Sequence, residues 1–259
     1  MDCLVPIFDQ YLSADGKSLR IVGFVRRDMA HIYGIPHAAV HVGVIIHKET
    51  EKGVQPGFLL RRRSSSKRVC PEMWDVFGSH VEIFTDGFVP LPLEMYTEMW
   101  DVPSFISRLF DDTALREVNE EVQILNRDFK FTPDHLHRFG DPGSFDYGIY
   151  DPNPINREFS TFYMAPVPKE ALTISTNDSI DNYLRALDSV GVPGQESANT
   201  CSDLKLFTLS ELMEDYARRP NTYADGIKRI LIKLSSEPGT LEAFSGFLKS
   251  CLESSTKEM

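Results

Sequence analysis

Hydrophobic and polar positions follow two periods along this chain. Ala38–Ile46 (AAVHVGVII) is rich in β-formers and nearly all apolar, the pattern of a buried strand. Gly57–Arg61 (GFLLR) reads as its partner, with the charged connection His47–Gln55 between them. Val5–Phe8 and Leu19–Phe24 flank the turn-like Ala14-Asp15-Gly16-Lys17 and predict a hairpin. Trp74–Val81 predicts a further extended stretch, and strands are expected near His135–Phe139, Phe159–Ala165 and Leu204–Leu206. Helical spacing appears where Leu115, Val118 and Val122 fall on one face, predicting a helix over Ala114–Leu125. Before it, Glu82–Thr113 carries Pro90, Pro92 and Pro103. It reads as an insertion with short helices near Leu93–Trp100 and Ser104–Phe110. Ser175–Ala198, with Gly191, Pro193 and Gly194, reads as a mobile loop holding one helical piece. Thr208 or Ser210 is placed to cap a helix over Glu211–Arg218, and Ile227–Lys233 and Leu241–Glu253 complete a helical C-terminus. Strands mixed with a few helices predict a mixed α/β (α+β) layered fold.

The remaining numbers narrow the function. The chain has 259 residues, 42% of them hydrophobic and 25% charged, which suits one globular domain over 1–259. Its formal net charge of −11 makes it a poor general binder of nucleic-acid backbone or anionic membrane. Cys3, Cys70, Cys201 and Cys251 lie far apart and form no CxxC pair, which indicates neither a zinc site nor a dense disulfide framework. The start MDCLVPIFDQ lacks the basic-then-apolar pattern of a secretory signal, and no apolar run reaches the roughly 20 residues of a membrane span. A cytoplasmic protein is expected.

The chemistry concentrates in Arg116-Glu117-Val118-Asn119-Glu120-Glu121-Val122. On a helix, Glu117 neighbours Glu120 and Glu121, so three carboxylates share one surface and repel. A hard divalent cation relieves that repulsion, and magnesium takes carboxylates, waters and phosphate oxygens together. Arg116 can neutralise part of the cluster. An ordinary amphipathic helix with a solvated acidic face has the same pattern. Upstream, Arg61, Arg62, Arg63 and Lys67 follow a strand and could meet phosphate oxygens, or form a solvated basic loop.

These segments together resemble the Nudix superfamily. Arg116–Val122 matches its R-E-U-x-E-E core. Trp74-Asp75-Val76-Phe77-Gly78-Ser79-His80-Val81-Glu82 resembles the strand and turn that open its sequence box, and Phe58–Lys67 the strand and basic loop before that. With His31 and His37-Ala38-Ala39-Val40-His41-Val42, the likeness is to the isopentenyl-diphosphate-isomerase-like branch. Leu206–Leu212 is similar to the strand and helix that close such domains. The resemblance covers about residues 5–235, with an insertion at about 83–113 and a helical extension at about 225–255. It implies a mixed sheet sandwiched between helices.

The resemblance also implies Mg²⁺-dependent cleavage of a diphosphate linkage in a small metabolite, with Mn²⁺ as the alternative ion and a homodimer as an open oligomeric state. Glu117, Glu120 and Glu121 would hold the metal, and Glu82 would stand in for a displaced box glutamate. Glu120, Glu121 or Glu158 would act on the attacking water, and Arg116 would support the cluster. Arg62, Arg63, Lys67, His37 and His80 would meet the substrate or its phosphates, the two histidines at positions where the isomerases bind a second metal. The chain departs from the pattern at Ser79 and Gln123, where the box has glycines. At Arg108 the box spacing expects a glutamate, and Gly78 falls where the isomerases carry a cysteine. Isomerisation of isopentenyl diphosphate and a non-catalytic sensing module are the alternatives.

Overall fold

The structure, a computed structural model, describes residues 4–8, 21–67, 70–81, 103–125, 128–139, 149–150, 158–174, 179–188, 199–200, 203–236 and 239–254. The strands among them are β1 (Leu4–Phe8), β2 (Ile21–Arg26), β3 (His37–Thr50), β4 (Gly53–Arg62), β5 (Trp74–Asp75), β6 (Val122–Ile124), β7 (His137–Arg138), β8 (Ile149–Tyr150), β9 (Glu158–Pro166), β10 (Thr173–Ile174), β11 (Leu184–Asp188), β12 (Asn199–Thr200) and β13 (Asp203–Thr208). The helices are α1 (Arg27–Tyr33), α2 (Pro103–Glu121), α3 (Leu209–Arg218), α4 (Asp225–Ser236) and α5 (Thr240–Ser254).

β3 organises the molecule. It pairs in parallel with β9 from His37 to Ile45 and antiparallel with β4 from Val44 to Thr50. Beside its first half, residues 77–81 take the place β4 occupies beside the second, through isolated bridges at Val42–Phe77 and Ala39–His80. β13 extends the sheet beyond β4, and β1 and β2 form the expected hairpin at the other edge. The result is a mixed sheet, with a small three-stranded sheet of β12, β11 and β6 beside it.

Alternation along β3 sends side chains to two cores. Val40, Val42, Val44 and Ile46 pack with Phe110, Ala114 and Val118 of α2. On the other face Ile45 joins Phe58, Leu60, Phe162 and Met164 against Leu231, Leu234, Phe244 and Leu248 of α4 and α5. Because successive strand residues point to opposite faces, an almost wholly apolar strand signals a sheet covered on both sides. The expected α+β layering is therefore present. Thr208 caps α3 and forms a capping box with Glu211, whose carboxylate accepts the Thr208 N–H. No helix among the described residues is long and apolar enough to cross a membrane.

Four local expectations change. The helix expected over 104–110 and that over 114–125 are one element, α2, which stops at Glu121. Beyond it Val122 and Ile124 are buried and Gln123 is exposed, and this period of two pairs β6 with β11. β11 itself lies in the stretch expected to be a mobile loop with a helical piece. Leu184 and Ala186 are buried there around an exposed Arg185, preceded by the short turn Ile180–Asn182. The charged connection expected over 47–55 is mostly strand, with only residues 51–52 turning. The polar run is tolerated because it is the protruding end of a hairpin, where Thr50 Oγ1 donates to Gly53 O at 2.7 Å. The strand expected near His135–Phe139 shortens to β7, because Pro133–His135 forms a single 3₁₀ turn before it. The helix expected near 93–100 and the tip of the first hairpin lie outside the described residues.

Candidate metal and diphosphate site

α2 is pinned along its length before it presents any charge. At its middle, Asp111 Oδ1 accepts hydrogen bonds from Arg138 Nη2 and from the Tyr163 hydroxyl, each at 2.7 Å, which ties the helix to β7 and β9. Burial pushes the Tyr163 pKa well up against the opposing pull of Arg138, so the hydroxyl remains a neutral donor. Within the last turn, Asn119 accepts from Phe131 N at 2.8 Å and donates to Phe131 O at 3.0 Å, fastening the 128–131 segment. The acidic face cannot slide relative to the sheet without breaking these bonds.

The last two turns of α2 carry Glu117, Glu120 and Glu121, and each has a guanidinium partner. Arg116 Nη2 stands 2.6 Å from Glu117 Oε1, and its Nη1 stands 3.0 Å from Glu120 Oε2. Glu117 is buried, whereas the Glu120 side chain is 50% exposed and is the carboxylate of the three that solvent reaches. Glu121 is 2% exposed; its Oε1 meets Arg61 Nη1 at 2.7 Å and its Oε2 accepts the Gly78 N–H at 3.0 Å. Three carboxylates against two guanidinium groups leave one net negative charge on this face. Carboxylate oxygens are the donors a hard divalent cation takes together with water, although among the described residues the ligand atoms that already converge are those of three histidines rather than of these glutamates.

A second donor set lies on the other side of the Gly78 turn. His31, His37 and His80 offer one nitrogen each, all within 4.8 Å of one another. Their ring centroids form a near-equilateral triangle with sides of 5.0, 4.8 and 5.0 Å. Local structure explains the convergence. α1 ends at Gly34, whose left-handed φ of 59° reverses the chain, so that His37 at the start of β3 returns to His31. His80 reaches the same place through its bridge to Ala39. His37 Nδ1 lies 2.8 Å from the Ile35 carbonyl, which can only accept, so the proton sits on Nδ1 and Nε2 carries the lone pair. Imidazole nitrogens suit a transition ion better than magnesium.

Other expected site residues are placed less centrally. Arg62 is partly exposed and donates from Nε to Glu72 O at 3.0 Å. Arg63 Nη1 is held by Asp75 Oδ2 at 2.8 Å. Lys67 closes the Ser64 turn through its backbone N–H. Glu158 pairs in register with His37, so its backbone stands beside the histidine cluster. Glu82 lies outside the described residues. Sequence reasoning named two members without giving them these places. His31 entered only as part of the resemblance and was assigned no role. Arg61 was grouped with its neighbours as a phosphate ligand, although its observed partner is Glu121.

No protein-family model matches this chain, and no curated protein matches it. Solved structures do. A protein of Deinococcus radiodurans is 14% identical over 89% of this chain and 98% of its own, with a TM-score of 0.44. A mutT/nudix family protein from Listeria innocua is 18% identical, over 81% and 95%, with a TM-score of 0.39. A NUDIX hydrolase from Alicyclobacillus acidocaldarius is 15% identical, over 80% and 95%, with a TM-score of 0.42. The solved structures this chain resembles include Nudix proteins. They assign no role to any of its residues.

Proposed function

We propose that this chain is a Nudix hydrolase that cleaves a diphosphate linkage in a small metabolite, using a divalent cation at the acidic face of α2. The observation that carries the reading is the carboxylate cluster itself. Glu117 and Glu121 are buried and oriented by arginines, and Glu120 opens to solvent from the same face. A solvated acidic helix face does not need its glutamates buried and held by guanidinium groups. Glu117, Glu120 and Glu121 would hold Mg²⁺ or Mn²⁺, and Glu82 would assist. Such an ion supplies Lewis acidity to phosphoryl oxygens and a more acidic bound water.

The remaining chemistry belongs to the chain. Arg62 and Lys67 would bind the outer phosphate, and Arg63 would orient the loop that carries them. Glu120 or Glu158 would accept the proton of the attacking water. His31, His37 and His80 would form a second cation site, its tautomer set by the Ile35 carbonyl. That cluster favours isomerisation of isopentenyl diphosphate as a second reading. Against it stands Gly78, which offers no side-chain proton donor at the position where the isomerases have one.

The test is the appearance of phosphomonoester products, followed by phosphorus NMR, over a panel of diphosphate compounds with Mg²⁺. Turnover of at least one compound is expected, and Glu120→Gln should lower it by about 100-fold or more, beyond the usual cost of losing an outer partner of a ligand. Full turnover by Glu120→Gln, or by the wild-type chain in excess chelator, would remove the metal assignment.

A further inference from the structure

Arg61 is 2% exposed, a depth at which a guanidinium is kept only with partners. It is the last residue but one of β4, where its backbone pairs with Leu204 of β13 and Asp75 of β5. Its side chain turns toward α2 and lies 5.2 Å from the centre of the Phe77 ring. Nη1 holds Glu121 Oε1 at 2.7 Å, while the other oxygen of the same carboxylate accepts from Gly78 N at 3.0 Å. One carboxylate is thus gripped at both oxygens, by a strand end and by a turn. That turn has no slack. Gly78 has a φ of +128°, and a Cβ built on it would stand 2.1 Å from the Val40 carbonyl oxygen. His80 follows two residues later.

We propose that Arg61 is a positioning residue, which fixes Glu121 against the Gly78 N–H and so sets the spacing between the acidic face of α2 and the turn that carries His80. This role rests on the reading that the acidic face holds a divalent cation. Left to itself, Glu121 would be pushed away from Glu117, since like charges one helical turn apart repel. The planar guanidinium offsets that repulsion and restricts the carboxylate to one orientation. A carboxylate held in place before the ion arrives does not have to be ordered by it, which is how outer partners of ligands raise affinity. Arg61 cannot also be a phosphate ligand. A substrate could reach it only by displacing Glu121 from between α2 and the sheet.

The experiment compares the full-length wild-type chain with Arg61→Gln, Glu121→Gln and the double variant. Mg²⁺ alone is titrated calorimetrically, because three imidazoles are poor ligands for it. Turnover of whichever diphosphate compound the wild-type chain cleaves is measured alongside. Arg61→Gln is expected to weaken Mg²⁺ binding by about 10- to 100-fold and to lower kcat with little change in KM. The double variant should bind Mg²⁺ no more weakly than Glu121→Gln, because Arg61 acts through that carboxylate.

Wild-type Mg²⁺ affinity in a folded but less stable Arg61→Gln would leave only a structural role and overturn the proposal. A rise in KM alone would make Arg61 a phosphate ligand and overturn it equally, as would additive losses in the double variant. Should Arg61→Gln fail to fold, the comparison of Glu121→Gln with the double variant decides. In the double variant no member of this buried pair is left charged without the other, so an affinity equal to that of Glu121→Gln supports the role and a further loss refutes it. A wild-type chain that binds no Mg²⁺ sinks the cation reading and this role with it. A wild-type chain that binds Mg²⁺ beside an unaffected Arg61→Gln sinks the role alone.

Discussion

Gly78→Ala places a methyl group where the structure has least room. The added Cβ would meet the Val40 carbonyl oxygen at 2.1 Å and its carbon at 3.0 Å, at a φ of +128° that L side chains rarely adopt. The backbone strain alone costs about 1–3 kcal/mol. Relief requires the turn to back away from β3, yet four main-chain hydrogen bonds hold it there. Val40 N donates to Ser79 O at 2.8 Å, Val42 N to Phe77 O at 2.8 Å, Phe77 N to Val42 O at 3.1 Å and Val81 N to Ala38 O at 2.8 Å. Giving up one or two of these at about 1 kcal/mol each brings the total to roughly 2–5 kcal/mol. That is a large share of the stability of an ordinary domain. Urea unfolding should show a lower midpoint at an unchanged slope, the mark of lost stability rather than a changed denatured state. A loss below about 1 kcal/mol would refute the reasoning, because it would mean that the turn yields freely.

Two further outcomes are expected. Tyr223→Phe removes the hydroxyl that donates to the buried Asp215 at 2.7 Å, loosening the contact between α3 and the start of α4, and should cost about 1–2 kcal/mol in the same assay; no change would show that the bond contributes nothing. His47 is buried, and burial first, with Lys169 adding to it, holds its pKa below the ordinary value of about 6.5. The unfolded chain then takes up that proton before the folded one does. The stability His47 contributes is therefore present above about pH 6.5 and lost as the pH falls from there toward the folded pKa. His47→Gln should flatten this part of the stability profile, and an unchanged acid slope would assign the loss to other groups.

How much of this was legible depended on whether a pattern was local. Ala38–Ile46 announced a strand covered on both faces because burial on two sides leaves no polar alternation to misread. Thr208 and Ser210 both offered a cap, and the capping box with Glu211 decides for Thr208. Val122 was ambiguous, since it fits both the helical face of Leu115 and Val118 and the alternation of β6. Only pairing with β11 decides between them, and β11 was hidden in a stretch with Gly191, Pro193 and Gly194 at its far end. The carboxylates of α2 were readable from one helical turn. The partner of Glu121 was not, because three consecutive arginines look alike until strand alternation turns Arg61 toward the helix. The histidine cluster draws on α1, β3 and the Gly78 turn, so no single window of sequence contains it.

The central claim is that water, activated at the acidic face of α2, breaks a diphosphate linkage. It is tested most directly by running the wild-type chain with Mg²⁺ in water labelled with heavy oxygen and following the products by phosphorus NMR and mass spectrometry. Cleavage of at least one diphosphate compound is expected, with one labelled oxygen on a phosphate product and no reaction once the metal is chelated. Conversion of isopentenyl diphosphate to dimethylallyl diphosphate with every phosphate oxygen unlabelled, or an intact panel at saturating Mg²⁺, would contradict it.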